Sequence, residues 1–314
     1  MRARTEERAF RAMVIGVGAV GGTLARALVA GGARPVLVDP RTELAGAGAR
    51  ILHPSDLTVD WFEGVELVLV ATKAGAAIEA LGPVPPRLPV ATLFNGFHPA
   101  VGKDRTGPML RGAVDFAASV RDGHVVCTQS GRIYLPRIPV CQRFARFVGT
   151  GEIRPRLVDD TLPHVWGKLL FNASLDPVAA LTGRTLGQVF SHRPSFRIFR
   201  RLFREGCEVA RAAGVRPARI QGADPFRFAR LLRTPAVSNV IAWIAGRRAR
   251  DVESTMLADV LAGRTTEIDY MNGFLVREAE RLGVETRTHR RVIEMVEELT
   301  AGKRVPYPKA IREI

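Results

Sequence analysis

Met13-Val-Ile-Gly-Val-Gly-Ala-Val-Gly-Gly22 is an apolar run that breaks into closely spaced glycines and then resumes with helical spacing. It reads as strand, tight turn, helix, with Gly16, Gly18 and Gly21 on the G-x-G-x-x-G spacing. In that pattern the first glycine permits the turn, the second lets a pyrophosphate approach the backbone, and the third lets helix pack on strand. The amides at the helix start then face the phosphates. Gly16, Val17, Gly18, Ala19, Val20 and Gly21 are therefore the candidate cofactor loop. Downstream, Leu24, Ala27 and Leu28 keep helical spacing, Gly31-Gly32 stops the helix, and Pro35 to Val38 gives a second apolar strand ending on Asp39, eighteen residues past Gly21. That is a βαβ opening. The competing account is a glycine turn in some other α/β fold, since glycine triplets recur by chance in a glycine-rich chain.

A chain of 314 residues with 46% hydrophobic composition has room for two domains, each with its own core. No apolar run reaches the ~20 residues of a membrane span, and Met1 to Ala12 is polar and charged without a signal-peptide segment, so a cytoplasmic protein is expected. Cys127, Cys141 and Cys207 are far apart and form no C-x-x-C pair, which fits reduced, mostly buried thiols. The six histidines form neither H-x-H nor H-E-x-x-H, so no metal is expected. A net charge of +15 invites a nucleic-acid partner, but the arginines are spread along the chain with no aromatic platform among them. Solvated helical faces explain them better: Arg197, Arg200, Arg201 and Arg204 alternate with Phe196, Phe199, Leu202, Phe203 and Val209, an apolar stripe with a charged reverse side. Neither nucleic acid nor membrane is expected as a partner.

Further along, Val65 to Ala71 reads as a buried parallel strand followed by Thr72-Lys73-Ala74, and Pro89 to Phe94 as another ending on Asn95-Gly96. Both strand ends fall at the carboxyl edge where open α/β sheets bind ligands. Ala113 to Val120 and Val125 to Tyr134, separated by Arg121-Asp-Gly123, read as a hairpin finishing the first domain. A helix is expected at Val140 to Val148 and a short extended piece at Glu152 to Val158. Beyond Asp159-Asp160 strand signals fade, and helices are expected around Leu162 to Leu175, Ser195 to Ala213, Val252 to Leu261, Ile268 to Leu282 and His289 to Thr300. The chain thus divides into an α/β Rossmann-type dinucleotide-binding domain over 1–159 and an all-α domain over 160–314.

Two stretches of the helical half carry candidate chemistry: Trp166 to Pro177 and Ser254 to Gly273. In the first, Lys168, Asn172 and Asp176 recur every four residues and line one helical face. From spacing alone, a solvated face with an ordinary lysine is the favoured account.

The motifs together resemble the ketopantoate reductase family (2-dehydropantoate 2-reductase). The resemblance rests on the glycine loop from Gly16 to Gly21, Ala-Thr-Lys-Ala around Lys73, the Asn95-Gly96 pair, Trp166-x-Lys168-x-x-x-Asn172, and Thr255-Met-Leu-x-Asp with Thr266-Glu267-Ile-Asp and Asn272-Gly273, in the family's order. It implies a 6-phosphogluconate-dehydrogenase-like helical domain after the Rossmann domain. It also implies hydride transfer from a nicotinamide cofactor to the keto carbon of a 2-keto acid, ketopantoate giving pantoate. Lys168 occupies the position of the family's catalytic lysine, and Glu267 matches a glutamate that holds that lysine and a substrate hydroxyl. Asn95 and Asn172 match residues orienting cofactor and substrate, and Lys73 matches a lysine near the cofactor. A lysine suits the role of acid if its pKa is drawn toward the working pH. A homodimer is left open.

Three departures from the family pattern bear on ligands. Thr255 stands where a family serine contacts substrate, adding a methyl. Asp176 stands where a second asparagine is common; a carboxylate only accepts hydrogen bonds, so an ionised Asp176 would disfavour a nearby substrate carboxylate and suit an amine or hydroxyl. Alternatively, since Asp176 precedes Pro177, its side chain serves a turn at the helix end. The family typically uses NADPH with an arginine just after the second strand, whereas here Asp39 ends the strand and Arg41 follows; a carboxylate accepting from the ribose hydroxyls leans toward NADH. Another 2-keto acid or an imine as substrate, or a non-catalytic dinucleotide sensor, are the remaining alternatives.

Overall fold

The computed structural model describes residues 9–44, 48–149 and 151–314. The polar N-terminus as far as Arg8 and residues 45–47 of the turn-rich loop after Asp39 lie outside the described residues. By its internal contacts the chain forms two compact units, Met1–Phe94 with His98–Thr161, and Asn95–Phe97 with Leu162–Ile314. Among the described residues, no helix is long and apolar enough to cross a membrane.

The first unit is built on β1 (Ala12–Ile15), α1 (Ala19–Ala30), β2 (Val36–Val38), β3 (Ile51–Leu52), β4 (Leu67–Val70), α2 (Ala77–Leu81), β5 (Val90–Thr92) and β6 (Met109–Arg111). Among the described residues its strands form a six-stranded sheet in the order β3-β2-β1-β4-β5-β6, with parallel pairing throughout. The strands are nearly continuous apolar runs because both faces are covered. Alternate residues feed two cores: Val14, Leu37, Leu67, Leu69 and Ala91 on one side, and Met13, Ile15, Val38, Val68, Val70 and Val90 on the other. The strand order reverses beside β1, which places the ends of β1 and β4 at the switch point.

The expected single hairpin over 113–134 is corrected. Each of its two runs is broken, giving β7 (Ala113–Val114), β8 (Ala117–Arg121), β9 (His124–Gln129) and β10 (Gly131–Pro136). β8 and β9 do form a hairpin, turning through Asp122 (φ 49°) and Gly123 (φ 74°), the positive-φ pair that suits a tight strand reversal. The breaks occur at Asp115-Phe116 and at Ser130. Asp115 turns its carboxylate to the Arg132 amide and to Tyr134 Oη (3.0 Å), and Gly131 passes so close to Phe116 that a Cβ would lie 2.6 Å from the Phe116 nitrogen. After α3 (Pro139–Arg146), β11 (Ile153–Val158) pairs parallel to β10, which pairs antiparallel to β7.

The second unit is helical: α4 (Leu162–Thr182), α5 (Leu186–Ser191), α6 (Arg193–Ala212), α7 (Pro225–Leu231), α8 (Pro235–Arg248), α9 (Thr255–Leu261), a π-turn at Asp269–Gly273 running into α10 (Phe274–Leu282), and α11 (Arg287–Thr300). α6 buries Phe196, Phe199, Leu202, Phe203 and Val209 and leaves Arg197, Arg201 and Arg204 exposed. The expected end of α4 before Pro177 is also corrected. The helix runs on to Thr182 with Pro177 buried inside it, so Asp176 serves no terminal turn.

Candidate active site

The glycine loop of the first unit separates what the fold needs from what a ligand needs. Gly16 has φ +91°, and a Cβ there would lie 2.6 Å from the Thr72 nitrogen; a Cβ on Gly21 would lie 1.9 Å from the Gly16 oxygen. Both positions are demanded by the packing of loop and helix on the strands. At Gly18 the nearest protein atom would be Arg41 Nη2 at 3.5 Å, so no clash within the protein forbids a side chain. The open side of Gly18 is where the motif brings the pyrophosphate to the backbone. No side chain caps α1, whose first turn carries no acidic residue, so the amides around Ala19 and Val20 suit an anionic ligand. The loop fits a dinucleotide. Lys73 follows β4, one residue beyond the backbone that meets Gly16, and its side chain is half-buried.

Asp39 is buried, and its carboxylate is engaged within the protein. Oδ2 accepts from Val17 N at 2.8 Å and Arg41 Nη2 at 3.2 Å; Oδ1 accepts from Arg41 N at 2.9 Å and Arg41 Nε at 3.0 Å. The carboxylate therefore ties the end of β2 to the glycine loop. The Arg41 side chain is 52% exposed. Its hydrogen bond to Asp39 raises its pKa further, against some lowering by burial, so the guanidinium stays charged.

In the second unit α4 presents Lys168, Asn172 and Asp176 at successive turns, the first two half-buried and the third buried. Asp176 Oδ1 accepts from Ser254 Oγ at 2.9 Å. Ser254 was not among the expected site residues. It is the N-cap of α9, where its Oγ also accepts from Met256 N (3.2 Å) and Leu257 N (3.4 Å). A serine directly before an apolar helical run is the cap signal that could have drawn attention to it. Thr255, its neighbour, is the exposed first residue of α9. Burial drives the Asp176 carboxyl up to about 7; the Ser254 bond and the Lys168 charge oppose the rise, and Glu267 and Asp259 add to it. Lys168 and Glu267 thus both lie within electrostatic reach of Asp176.

Glu267 is half-buried, and Asn95 Nδ2 donates to its Oε2 at 3.0 Å. Asn95 belongs to the three-residue segment that packs with the helices: Phe97 N donates to Tyr270 O at 2.8 Å, and the Phe97 ring stacks on Phe274 with centroids 4.1 Å apart. Asn95 Oδ1 is buried without a hydrogen-bond partner, which leaves an acceptor for a ligand N–H or O–H. The buried Asp176 carboxyl thus has around it the Lys168 ammonium and the Glu267 carboxylate that Asn95 holds, groups that can donate and accept protons. Burial raises Cys141 to about 11 and Cys207 to about 12, which favours the protonated thiol at both.

Comparison with known proteins places these features in a family. Residues 12–139 match the family described as ketopantoate reductase PanE/ApbA, and residues 160–300 match its C-terminal domain. The 2-dehydropantoate 2-reductase of Caulobacter vibrioides is 31% identical over 308 residues, covering 90% of this chain and 97% of that protein. D-mandelate dehydrogenase in its structure with NADH and anilino(oxo)acetate superimposes with a TM-score of 0.74 at 17% identity, covering 94% of this chain and 100% of that one. The dimeric ketopantoate reductase of Staphylococcus aureus gives a TM-score of 0.72 at 17% identity, covering 94% and 100%. At these identities the two structures share the fold. The matched domains and the Caulobacter relative together establish that the chain belongs to the ketopantoate reductase family, and with it to the NAD(P)-dependent oxidoreductases acting on a CH–OH group.

Proposed function

We propose that the protein reduces 2-dehydropantoate to pantoate, with Lys168 as the general acid and Glu267 as its partner. The observation that carries this reading is the Asn95–Glu267 hydrogen bond, which fixes the carboxylate in the same electrostatic cluster as Lys168 and Asp176. When bound, a reduced nicotinamide supplies the hydride that goes to the keto carbon. The carbonyl oxygen, as it gains charge, takes a proton from the Lys168 ammonium, and the product is the 2-hydroxy acid with the oxidised cofactor. Glu267 stabilises the ammonium and orients it. Asn172 and Thr255 hold the substrate's polar groups. Gly16 to Gly21, Arg41 and Lys73 hold the cofactor, and Asp39 fixes Arg41 and the glycine loop.

NADPH is the cofactor we propose. Each Asp39 oxygen already accepts two hydrogen bonds, so the lean toward NADH, which needed that carboxylate for the ribose hydroxyls, loses its basis. The half-exposed Arg41 guanidinium supplies a positive charge suited to a 2′-phosphate. The test is the loss of reduced-cofactor absorbance with purified protein, ketopantoate and each cofactor in turn. No turnover of ketopantoate with either one, under conditions where another 2-keto acid is reduced, would overturn the substrate.

A second reading rests on Asp176. This buried carboxyl stands where relatives often carry an amide, and it favours a substrate bearing an amine or hydroxyl at that point. A panel of simple 2-keto acids and amine-plus-keto-acid mixtures distinguishes it. The partner we propose is a second copy of the chain, supported by the exposed Val240, Trp243 and Ile244 on α8. Mass measurement in solution tests it.

A further inference from the structure

A proline inside α4 creates a problem that another element solves. Pro177 has no N–H to offer the carbonyl four residues earlier, which belongs to Ala173. That carbonyl sits next to Asn172 in a buried stretch of the helix. A buried acceptor left without a donor is costly. Asn272 supplies the donor: its Nδ2 lies 2.8 Å from the Ala173 oxygen.

The same Nδ2 lies 2.9 Å from His289 Nδ1, and His289 Nε2 lies 3.0 Å from the Leu202 oxygen. A carbonyl can only accept, so Nε2 carries the ring proton, and Nδ1 is left to accept the second hydrogen of the Asn272 amide. Both side chains are fully buried. Burial drives His289 down to about 4, partly offset by its bond to the Leu202 carbonyl, which keeps the ring in the neutral form this pattern requires. Glu205 of α6 anchors the ring's backbone, accepting from Thr288 N at 3.1 Å and His289 N at 3.2 Å.

Asn272 is the fourth residue of the π-turn, and that turn is anchored on Glu267. Tyr270 N and Met271 N both donate to the Glu267 carbonyl at 3.1 Å. The turn also holds the Asn95 segment through the Tyr270 carbonyl, which accepts from Phe97 N. The Asn272 amide therefore connects the helix bearing Lys168 to the turn anchored on Glu267, at the one carbonyl the helix cannot satisfy from residue 177.

We propose that Asn272 is a positioning residue for the reaction: its amide, fixed by His289, grips the carbonyl that Pro177 frees in α4 and so sets Glu267 and Asn95 against the Lys168 face. The proposal rests on the reading of Lys168 and Glu267 given above. A merely structural role would consist of satisfying the Ala173 carbonyl and nothing more, and two variants separate the possibilities. Asn272→Ala removes both donors. Adding Pro177→Ala returns an N–H at position 177, which meets the Ala173 carbonyl in the ordinary helical way.

The expected result is that Asn272→Ala lowers Tm and cuts kcat about 10- to 100-fold, the cost of misplaced groups, with substrate KM and NADPH affinity by fluorescence titration little changed. In the double variant Tm recovers and kcat does not. A kcat that recovers together with Tm would overturn the proposal, as would an Asn272→Ala protein with undiminished kcat. If the single variant does not fold, the double variant compared with wild type decides by the same kcat criterion. A wild-type protein inert toward every 2-keto acid would instead overturn the reductase reading, and this proposal with it.

Discussion

Ser254 Oγ donates to the buried Asp176 carboxyl at 2.9 Å, so the cap of α9 and the third polar residue of the Lys168 face are one hydrogen-bonded unit. The titration of Asp176 is therefore felt across two helices. Its pKa of about 7, set first by burial, lies well above the ordinary 3.8. Between these values the native state keeps a proton that the unfolded chain releases, so this group's contribution to stability falls as pH rises from about 4 to about 7 and is level beyond. His289 has the opposite sign: its native value near 4 lies below the ordinary 6.5, so the unfolded chain binds more protons and stability rises with pH over that window. Asp176→Asn should remove the falling arm. Its Tm should climb as pH rises from about 4 to about 6.5, a range in which the Asp176 loss offsets the His289 gain in wild type. A variant whose Tm does not climb over that range would show that some other group titrates there.

Lys168→Ala should lower kcat by about 10²- to 10⁴-fold, the usual worth of a positioned acid, with cofactor binding nearly intact. Glu267→Gln should cost less, because the amide preserves shape and can still hydrogen-bond. The two losses should be less than additive if the groups act as one. Undiminished turnover by Lys168→Ala, with bound cofactor confirmed by titration, would remove the lysine from the chemistry.

Gly18 and Gly21 of the loop should respond differently to alanine. Gly18→Ala meets no protein atom closer than 3.5 Å, so Tm should barely change while cofactor affinity drops. Gly21→Ala puts a Cβ 1.9 Å from a backbone oxygen and should prevent a stable fold. Thermal melts with cofactor titration check both. Equal loss of affinity and stability at Gly18 would mean that the open space there is not a ligand's.

Arg41→Ala should raise KM for NADPH about tenfold or more and leave KM for NADH nearly unchanged, because of the two cofactors only NADPH carries a 2′-phosphate for the guanidinium. Asp39→Asn should lower Tm, since the carboxylate joins β2 to the glycine loop through Val17 N. If the ratio of kcat/KM for the two cofactors is unmoved by Arg41→Ala, cofactor choice lies elsewhere.

The parts of the molecule legible in the sequence are those fixed by local spacing. The glycine loop, the apolar strands through Val70 and Thr92, and the Phe196 to Val209 stripe all carry a periodicity that burial then uses. α8 was missed although Val237, Val240, Ile241 and Ile244 keep the i, i+3, i+4, i+7 spacing of a helical stripe, because the opposite side carries Ser238, Asn239, Ala242 and Gly246 rather than charges and the contrast between the two faces is weak. The run of α4 past Pro177 was missed because a proline ordinarily ends a helix; here the Ala173 carbonyl it frees is met by an amide 99 residues further along the chain. Of the candidate site, Asn95 and Glu267 came from family resemblance, and their contact spans 172 residues, a pairing no local pattern encodes. Ser254 stood beside Thr255 in the sequence, and only the geometry assigns the Asp176 contact to the cap.

Asn95–Phe97 lies early in the chain yet packs among the helices, and this bears on how the protein can be dissected or recombined. A fragment beginning at residue 162 would lack Phe97, stripping Trp166 and Phe274 of a ring that stands 6.0 Å and 4.1 Å from theirs. A chimera that took its cofactor-binding half from a relative would import that relative's counterpart of Asn95 and confront Glu267 with a foreign donor. Junctions on both sides of the short segment, rather than one cut, would be needed to exchange the halves cleanly.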